Sequence, residues 1–591
     1  MSFNVYYQNE LLALRELGKE FAQRNPALAP FFDTPGRDPD VERILEGFAF
    51  LSGRLRQKLD DELPELTHSL FNLLWPNYLR PIPASSIIRY QPGNSISGAI
   101  TIPRGTMVDS IPVQGIPCSF STVYETEILP LGITGQRILE HNGEASIVLS
   151  FAMTGSTLAN IPLTSLRFYL AGDPIVAHTL YLTMLDRVRT VRIVMHDALK
   201  KEHVVAELAP KSLRPVGFRE EEGLYPYPAN TYPGYRILQE FFCFPEKFHF
   251  VELSGLEQGL NPRTLRDFQG ATEFEIHFVL KELPEQYQSF RAENWQLFCT
   301  PVVNLFPKDA SPLTLDHNQT EYRIVPDPCL PNHYAIYSVN KVGSWSQGDK
   351  SDLQYLPFES FEHEAEADKT PFYYRLRLRP SLKDEATETY ITMVQTPESR
   401  AFPKKQIISL ELTCTNRLLP KELRVGDICV SAEGDSAKVN FKNITPVTPS
   451  FRPPMEGDLL WQLISNMSLN YVSLTSVQAL RAVLKAYDFR ALYDRPRARI
   501  LEKTLSGMVR ISCTETDRIY GGLPVRGART RLVLDQRAFS CEGGMYLFGS
   551  VLNEFFALYA TINSFHQLIV EEATCGEEYL WPARLGRTVH L

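Results

Sequence analysis

The chain has 591 residues, with 60 Lys plus Arg against 69 Asp plus Glu and a formal net charge of −9. At about 150 residues per domain this length suggests roughly four domains, and 44% hydrophobic with 22% charged residues excludes a largely disordered chain. An acidic balance with pI near 5.8 gives no overall basic field of the kind phosphate neutralisation needs, which argues against nucleic acid as a partner.

The first 80 or so residues read as helices. Tyr7, Leu11, Leu14, Gly18 and Phe21 follow a 4-3-4-3 spacing between charged residues, one apolar stripe on a first helix. Asn25-Pro26 and Pro30 end it, and Asp38-Pro39 restarts helix as cap and first-turn proline. The second stripe is Val41, Ile44, Phe48, Leu51, Leu55 and Leu59; a third, Leu66, Leu70 and Leu73 or Leu74, runs to Pro76. Three such helices make a hairpin bundle over residues 1–84. Stripes at this spacing are core more often than not, but fewer than about 80 residues supply a thin independent core, so the bundle is read as internal or shared with another chain.

At Ile87 the period changes. Short β-branched segments at 87–90, 99–102, 146–150, 166–170 and 192–195, bounded by Pro and Gly, read as a β-rich, sandwich-like domain over 85–235. It closes on the aromatic and proline-rich stretch 225–235. A second β-rich region, 236–455, has its clearest strands at 273–278, 372–378 and 407–412, with 344–369 as a surface loop. Thr445-Pro446-Val447-Thr448-Pro449 and Arg452-Pro453-Pro454 read as a linker. Residues 456–591 form a C-terminal α+β domain, with helices at 458–467, 476–487 and 545–559 and strands at 530–535 and 567–571. The basic stretch 490–503, with Arg490, Arg495, Arg497, Arg499 and Lys503, reads as a solvated or partner-facing strand. The fold class is therefore α+β and multidomain.

The search for chemistry returns little. There is no G-x-G-x-x-G after a strand, no P-loop, no H-E-x-x-H and no G-x-S-x-G. The nine cysteines include no C-x-x-C, so a zinc ribbon is unsupported and reduced thiols in the core fit best. His196-Asp197 and Asp316-His317 are sequence neighbours, which a strand would point oppositely. The acidic residues Glu359, Glu362, Glu364, Glu366 and Asp368 around His363 lack the glycine turn of a calcium loop and read as solvated. The sequons at Asn318, Asn443 and Asn466 read as chance. No cofactor, metal or catalytic residue is expected. No apolar run approaches a membrane span, and Met1-Ser2-Phe3-Asn4-Val5-Tyr6 lacks the charge and apolar core of a signal peptide, so a cytoplasmic chain is expected. A hydrolase with an unrecognised carboxylate pair is the alternative, which 69 acidic residues neither identify nor exclude.

One block carries a resemblance. Asp38-Pro39-Asp40-Val41-Glu42-Arg43-Ile44-Leu45-Glu46-Gly47-Phe48-Ala49-Phe50-Leu51 resembles the N-terminal signature of the TssF (VasA, ImpG) family of type VI secretion baseplate subunits. Tyr6-Tyr7, Gly18-Lys19-Glu20-Phe21-Ala22 and Leu73-Leu74-Trp75-Pro76-Asn77-Tyr78-Leu79-Arg80-Pro81 are similar to it as well. So are Arg236-Ile237-Leu238-Gln239-Glu240-Phe241-Phe242, Phe244-Pro245-Glu246-Lys247-Phe248, Glu456-Gly457-Asp458 with Trp461, Asn563-Ser564-Phe565 and the closing Trp581-Pro582 with Gly586-Arg587. The resemblance implies a non-enzymatic wedge subunit related to contractile-phage baseplate proteins. Two copies embrace one TssG and join TssK and TssE around the VgrG hub, beneath the sheath, with self-contacts between wedges. It also implies that the N-terminal helices bundle with TssG. The residues singled out as core or partner-shared anchors are Tyr7, Leu11, Leu14, Phe21, Ile44, Phe48, Leu51 and Leu55.

Overall fold

The computed structural model describes residues 3–24, 39–60, 64–93, 98–141, 143–197, 199–227, 233–268, 270–316, 319–345, 353–358, 372–381, 387–394, 406–431, 439–455, 463, 476–520, 522–557, 560 and 564–586. The chain divides into two compact units, Met1–Leu79 with Pro454–Ser468, and Arg80–Pro453 with Leu469–Leu591.

The first unit is helical where described. Its helices are α1 (Phe3–Arg24), α2 (Pro39–Asp60) and α3 (Pro64–Leu74), followed by a 3₁₀ turn at Pro76–Leu79. Proline opens α2 and α3 because the first helical N–H has no intrahelical partner to lose. The helices α1 and α2 pack as an antiparallel hairpin. Gly53, late in α2, lies against the start of α1, where an added Cβ would sit 3.1 Å from the Tyr7 nitrogen and 3.3 Å from the Tyr6 carbonyl carbon. Behind α3, Phe71, Trp75 and Tyr78 are buried. The Trp75 and Tyr78 rings meet edge-on at 4.4 Å and Phe71 packs on Tyr78 at 5.1 Å, geometry that aromatic quadrupoles favour.

The second unit is built largely of antiparallel sheets, with few helices. A six-stranded sheet runs 428–431, 107–110, 119–122, 299–303, 85–92, 439–443, and a five-stranded sheet runs 202–208, 188–196, 273–280, 144–153, 131–141. Pairing therefore crosses residue 235, where the sequence placed a boundary. Glu273–Leu280 bonds to 145–152 on one side and to 188–194 on the other, and 439–443 bonds to 88–92. Regions 85–235 and 236–455 thus share sheets, because antiparallel partners are set by edge complementarity rather than by nearness in sequence. A four-stranded sheet (213–215, 250–254, 165–170, 295–297) accompanies them. Two helices that periodicity did not flag lie in this β-rich span: α4 (Pro174–Leu182), capped by Asp173 accepting from the Ile175 N–H, and α5 (Pro233–Cys243).

Eight strands between Phe306 and Thr415 form a sheet with its own core around Leu315, Val342, Tyr355, Ile391, Ile408 and Leu410. The expected strands 372–378 and 407–412 belong to it. The expected loop 344–369 contains a strand, Leu353–Pro357, held between 342–344 and 372–374, and the buried Tyr355 hydroxyl donates to Gln406 at 2.6 Å. The acidic residues from Glu359 to Asp368 lie outside the described residues, as do Asn318, Asn466 and the helix expected at 458–467 apart from Leu463.

The proline-rich stretch 445–454, expected as a linker, is strapped down as far as 451. Thr445 Oγ1 accepts from the Ile87 N–H at 2.9 Å, the Thr448 N–H donates to Ser85 O at 2.9 Å, and Phe451 bridges to Ile82. Asn443 is fully buried, accepts from the Gly426 and Ile428 N–H groups and donates to Arg424 O and Thr445 O, so its sequon is a structural amide.

The C-terminal part holds α6 (Val477–Tyr487), α7 (Phe489–Tyr493), α8 (Arg495–Ser506) and α9 (Glu542–Ala557) against a sheet ordered 508–520, 523–534, 565–572, 578–580. The parallel pair 523–534 and 565–572 is joined through α9, the helical crossover that parallel strands require. The basic stretch expected as a strand is helical. Asp494 caps α8 by accepting from the Arg497 N–H, with Pro496 in the first turn. Arg490 and Arg497 donate to the carbonyls of Cys243 and Phe242 at the end of α5, satisfying groups that helix geometry leaves unpaired.

Candidate interaction surface

In the α1/α2 hairpin the eight anchors separate into two sets. On α1, Tyr7, Leu11 and Leu14 are half-buried on the side that meets α2, while Leu12 and Leu17 face outward. On α2 the inward positions are small: Ala49 and Gly53 are buried, and Leu45 and Ser52 are half-buried. The apolar stripe Ile44, Phe48, Leu51 and Leu55 lies outward, 71%, 58%, 63% and 65% exposed. Phe21 belongs to α1, and its side chain lies outside the described residues. Periodicity located this stripe and left open whether the chain itself covers it; among the described residues of this unit, none does. Small residues explain why. Helices approach closely where side chains are short, so α2 spends its Ala49/Gly53 side on α1 and leaves its large side chains uncovered. The Ala49-x-x-x-Gly53 spacing was the available signal for that packing side. Four large apolar side chains along one helix face form an exposed patch of the kind that marks an interaction site.

The second unit places its charges inside instead. Lys247 and Glu240 are both fully buried and paired, Lys247 Nζ also donates to Gly217 O at 2.9 Å, and Glu240 accepts from the Leu224 N–H at 2.8 Å. Burial pulls the Lys247 ammonium below its ordinary range against the pull of Glu240. Glu222 accepts from the Gly217 N–H at 2.6 Å and from Arg214 at 3.2 Å; burial raises its carboxyl, and these donors outweigh it and hold the pKa low. Arg214 and Arg167 converge on Glu252 at 2.8 and 3.0 Å. Glu275 accepts from Arg137 at 2.7 Å and Ser150 at 3.0 Å, with His277 at 3.0 Å; it too is held low against its burial. Glu222 and Glu275 are engaged by cations and hydrogen-bond donors rather than poised as general acids, which need a raised pKa.

His196, Glu202 and Glu275 come close enough to share a cation, but Arg137 Nη2 stands 2.7 Å from Glu275 and 3.6 Å from Glu202, supplying the positive charge there. Asp197 pairs with His203 at 2.9 Å rather than with His196. His178 meets Ser540 at 3.4 Å and lies beside His249; burial lowers the His178 pKa to about 4, which keeps the imidazole neutral. A recess of about 440 Å³ is lined by Gln536, Ser540, Cys541, Glu572 and Cys575. Glu572 there accepts from the Thr574 and Cys575 N–H groups at 2.5 and 2.6 Å; burial raises its carboxyl, and these bonds bring it down to about 2. All nine cysteines are free, and Cys118, Cys243, Cys299 and Cys414 are buried. Among the described residues no helix is long and apolar enough to cross a membrane.

The architecture is that of a strand-rich, multidomain α+β protein with an uncovered helical face. Residues 1–588 match the family model for the type VI secretion system protein TssF, and the chain belongs to that family. It is 28% identical to the type VI secretion system component TssF1 of Pseudomonas aeruginosa, over 99% of each chain. Its fold is similar to a chain of a TssK-TssF-TssG baseplate subcomplex, with a TM-score of 0.76 at 30% identity over 93% of this chain and 99% of that one. It is also similar to a chain of the type VI secretion baseplate complex, with a TM-score of 0.67 at 26% identity over 98% and 99%.

Proposed function

We propose that this chain is a structural, non-enzymatic subunit of the type VI secretion baseplate wedge. Two copies hold one TssG-like chain, and the trimer joins TssK and TssE around the VgrG hub beneath the contractile sheath. The baseplate works in the cytoplasm and reaches the inner-membrane complex through partners. The observation that carries this reading is the uncovered stripe Ile44, Phe48, Leu51 and Leu55 on a helix whose other side is already packed. An amphipathic helix of a partner, laid along that stripe with its own apolar residues at helical spacing, completes a bundle that α1 and α2 leave open. Tyr7, Leu11 and Leu14 support it from within the hairpin. The solved TssK-TssF-TssG subcomplex supports TssK and TssG as neighbours. The test is the mass of this chain co-expressed with the neighbouring TssG-like product, by native mass spectrometry. Two copies of this chain per partner are expected, and a lone monomer that ignores the partner overturns the reading.

A further inference from the structure

The C-terminal sheet ends on an open edge. Among the described residues Met508–Tyr520 has a strand neighbour on one side only, Leu523–Leu534. On the hairpin the third strand pairs with 527–534, and Thr516 is opposite Gly527, so residues 517–520 and 523–526 continue as a two-stranded ribbon beyond it. Among the described residues, the backbone bonds from Thr514 to Ile519 lead only to the other hairpin strand. Ser512, Thr514, Glu515, Asp517 and Ile519 are exposed, Ile519 by 80%.

Edge strands invite pairing with other chains, and folded proteins blunt them with bulges, proline or brevity. Among the described residues the other edges of this molecule follow that rule. The edges of the six- and four-stranded sheets are five residues or fewer, and so are those of the eight-stranded sheet. The longer edges at 131–141 and 202–208 carry bulges at Ile133/Gly135 and Val204/Ala206. In Met508–Tyr520 the irregularity falls at Met508/Arg510, at the very start, and the register then runs unbroken from Arg510 to Tyr520 with no proline.

We propose that this edge is a docking site for an extended segment of another baseplate chain, which adds to the sheet as a strand beside 510–520. Backbone chemistry fixes that class of occupant, since only a strand presents N–H and C=O groups at the spacing of a ladder. Charge fixes its faces. One face of the edge carries Arg510 and Arg518 with Ser512, Thr514 and Thr516 between them; the other carries Asp517 and Glu515, the latter already paired with Arg526 of the neighbouring strand, flanked by Ile511 and Ile519. The incoming strand therefore has acidic residues on the first face. It has basic residues bracketed by β-branched ones on the second, because opposite charges across a pair stabilise and like charges do the reverse.

The inference rests on the baseplate reading, and hydrogen exchange separates the two. Amide exchange of residues 512–520 is measured by mass spectrometry in this chain alone and in its assemblies with co-expressed TssG-like and TssK-like chains. At least tenfold slower exchange of alternate amides in the assembly is the expected result. The double variant Thr514→Glu with Ile519→Lys, folded by circular dichroism, sets like charges against both faces of the incoming strand and is expected to lose that slowing. If the assembly forms and 512–520 exchanges as in the free chain, the edge proposal is overturned while the wedge reading stands. If no assembly forms, the wedge reading falls and this proposal with it.

Discussion

The two units of this chain invert each other's surface logic. The helical hairpin puts large apolar side chains outside, at Ile44, Phe48, Leu51 and Leu55. The strand-rich unit puts charges inside, at Lys247, Glu240, Glu222 and Glu275, and pairs each of them. The difference separates a region that is complete within the chain from one that is not. A buried charge tolerates no missing partner, so its partners are encoded in the same chain. An exposed apolar stripe costs little in the free chain and becomes stabilising only when another surface removes it from water.

That contrast breaks most sharply at Lys247. Lys247→Met leaves the Glu240 carboxylate buried without its cation, and breaking a buried pair from one side costs about 3–5 kcal/mol. Urea unfolding of the free chain should show that loss. Lys247→Met combined with Glu240→Leu should recover most of it, since the penalty lies in the orphaned charge rather than in the absent pair. Equal damage from the single and the double variant would show that packing, not charge, governs the site.

The hairpin responds through shape instead. Gly53→Leu places a side chain where even a Cβ meets the Tyr7 backbone at 3.1 Å, and overpacking of this kind costs about 1–3 kcal/mol. Faster amide exchange confined to α1 and α2 is the expected signature. Unchanged exchange there would mean that the two helices do not depend on close contact.

What sequence could show follows the same division. The helix limits at Arg24, Pro39 and Leu74 were legible because prolines mark them, and so were the short strands at 146–150 and 407–412. The outward stripe of α2 was legible as a stripe but not as uncovered, since Ala49 and Gly53 carry no hydrophobic signal to show that the packing side lies elsewhere. Helix α4 escaped notice because a buried helix rich in apolar residues resembles a buried strand, and α5 because its start, Pro233-Gly234-Tyr235, continues the proline-rich stretch before it. Asp494-Arg495-Pro496 held a legible cap that the density of arginines obscured. The pairing of 85–92 with 439–443 was out of reach, because two short strands more than 300 residues apart carry no mark of each other.

A smaller effect is expected at Glu572, where the sign of its pH dependence can be worked out. Burial raises this carboxyl, the N–H groups of Cys575, Thr574 and Gln536 outweigh it, and its pKa stands at about 2 against an ordinary 4.5. The folded state therefore holds the proton less tightly than the unfolded one. The stabilisation is fully present above pH 4.5 and is lost as pH falls from there through 2. Charged hydrogen bonds of this kind contribute about 2 kcal/mol. Wild type should exceed Glu572→Gln by that amount at pH 7 and converge with it in acid. A gap that persists at pH 2 would assign the role to shape rather than charge.

The smallest change in the free chain is expected from Leu51→Asp. Its side chain is mostly in water, so the substitution should move the chain's own stability by less than about 0.5 kcal/mol. The same carboxylate, once covered by a partner helix, is buried without a counter-charge and costs several kcal/mol or takes up a proton. A chain that melts like wild type yet no longer co-purifies with the TssG-like product is the result that defines an interface residue. If stability drops and co-purification survives, the assignment reverses: Leu51 serves the hairpin, and the partner meets another face.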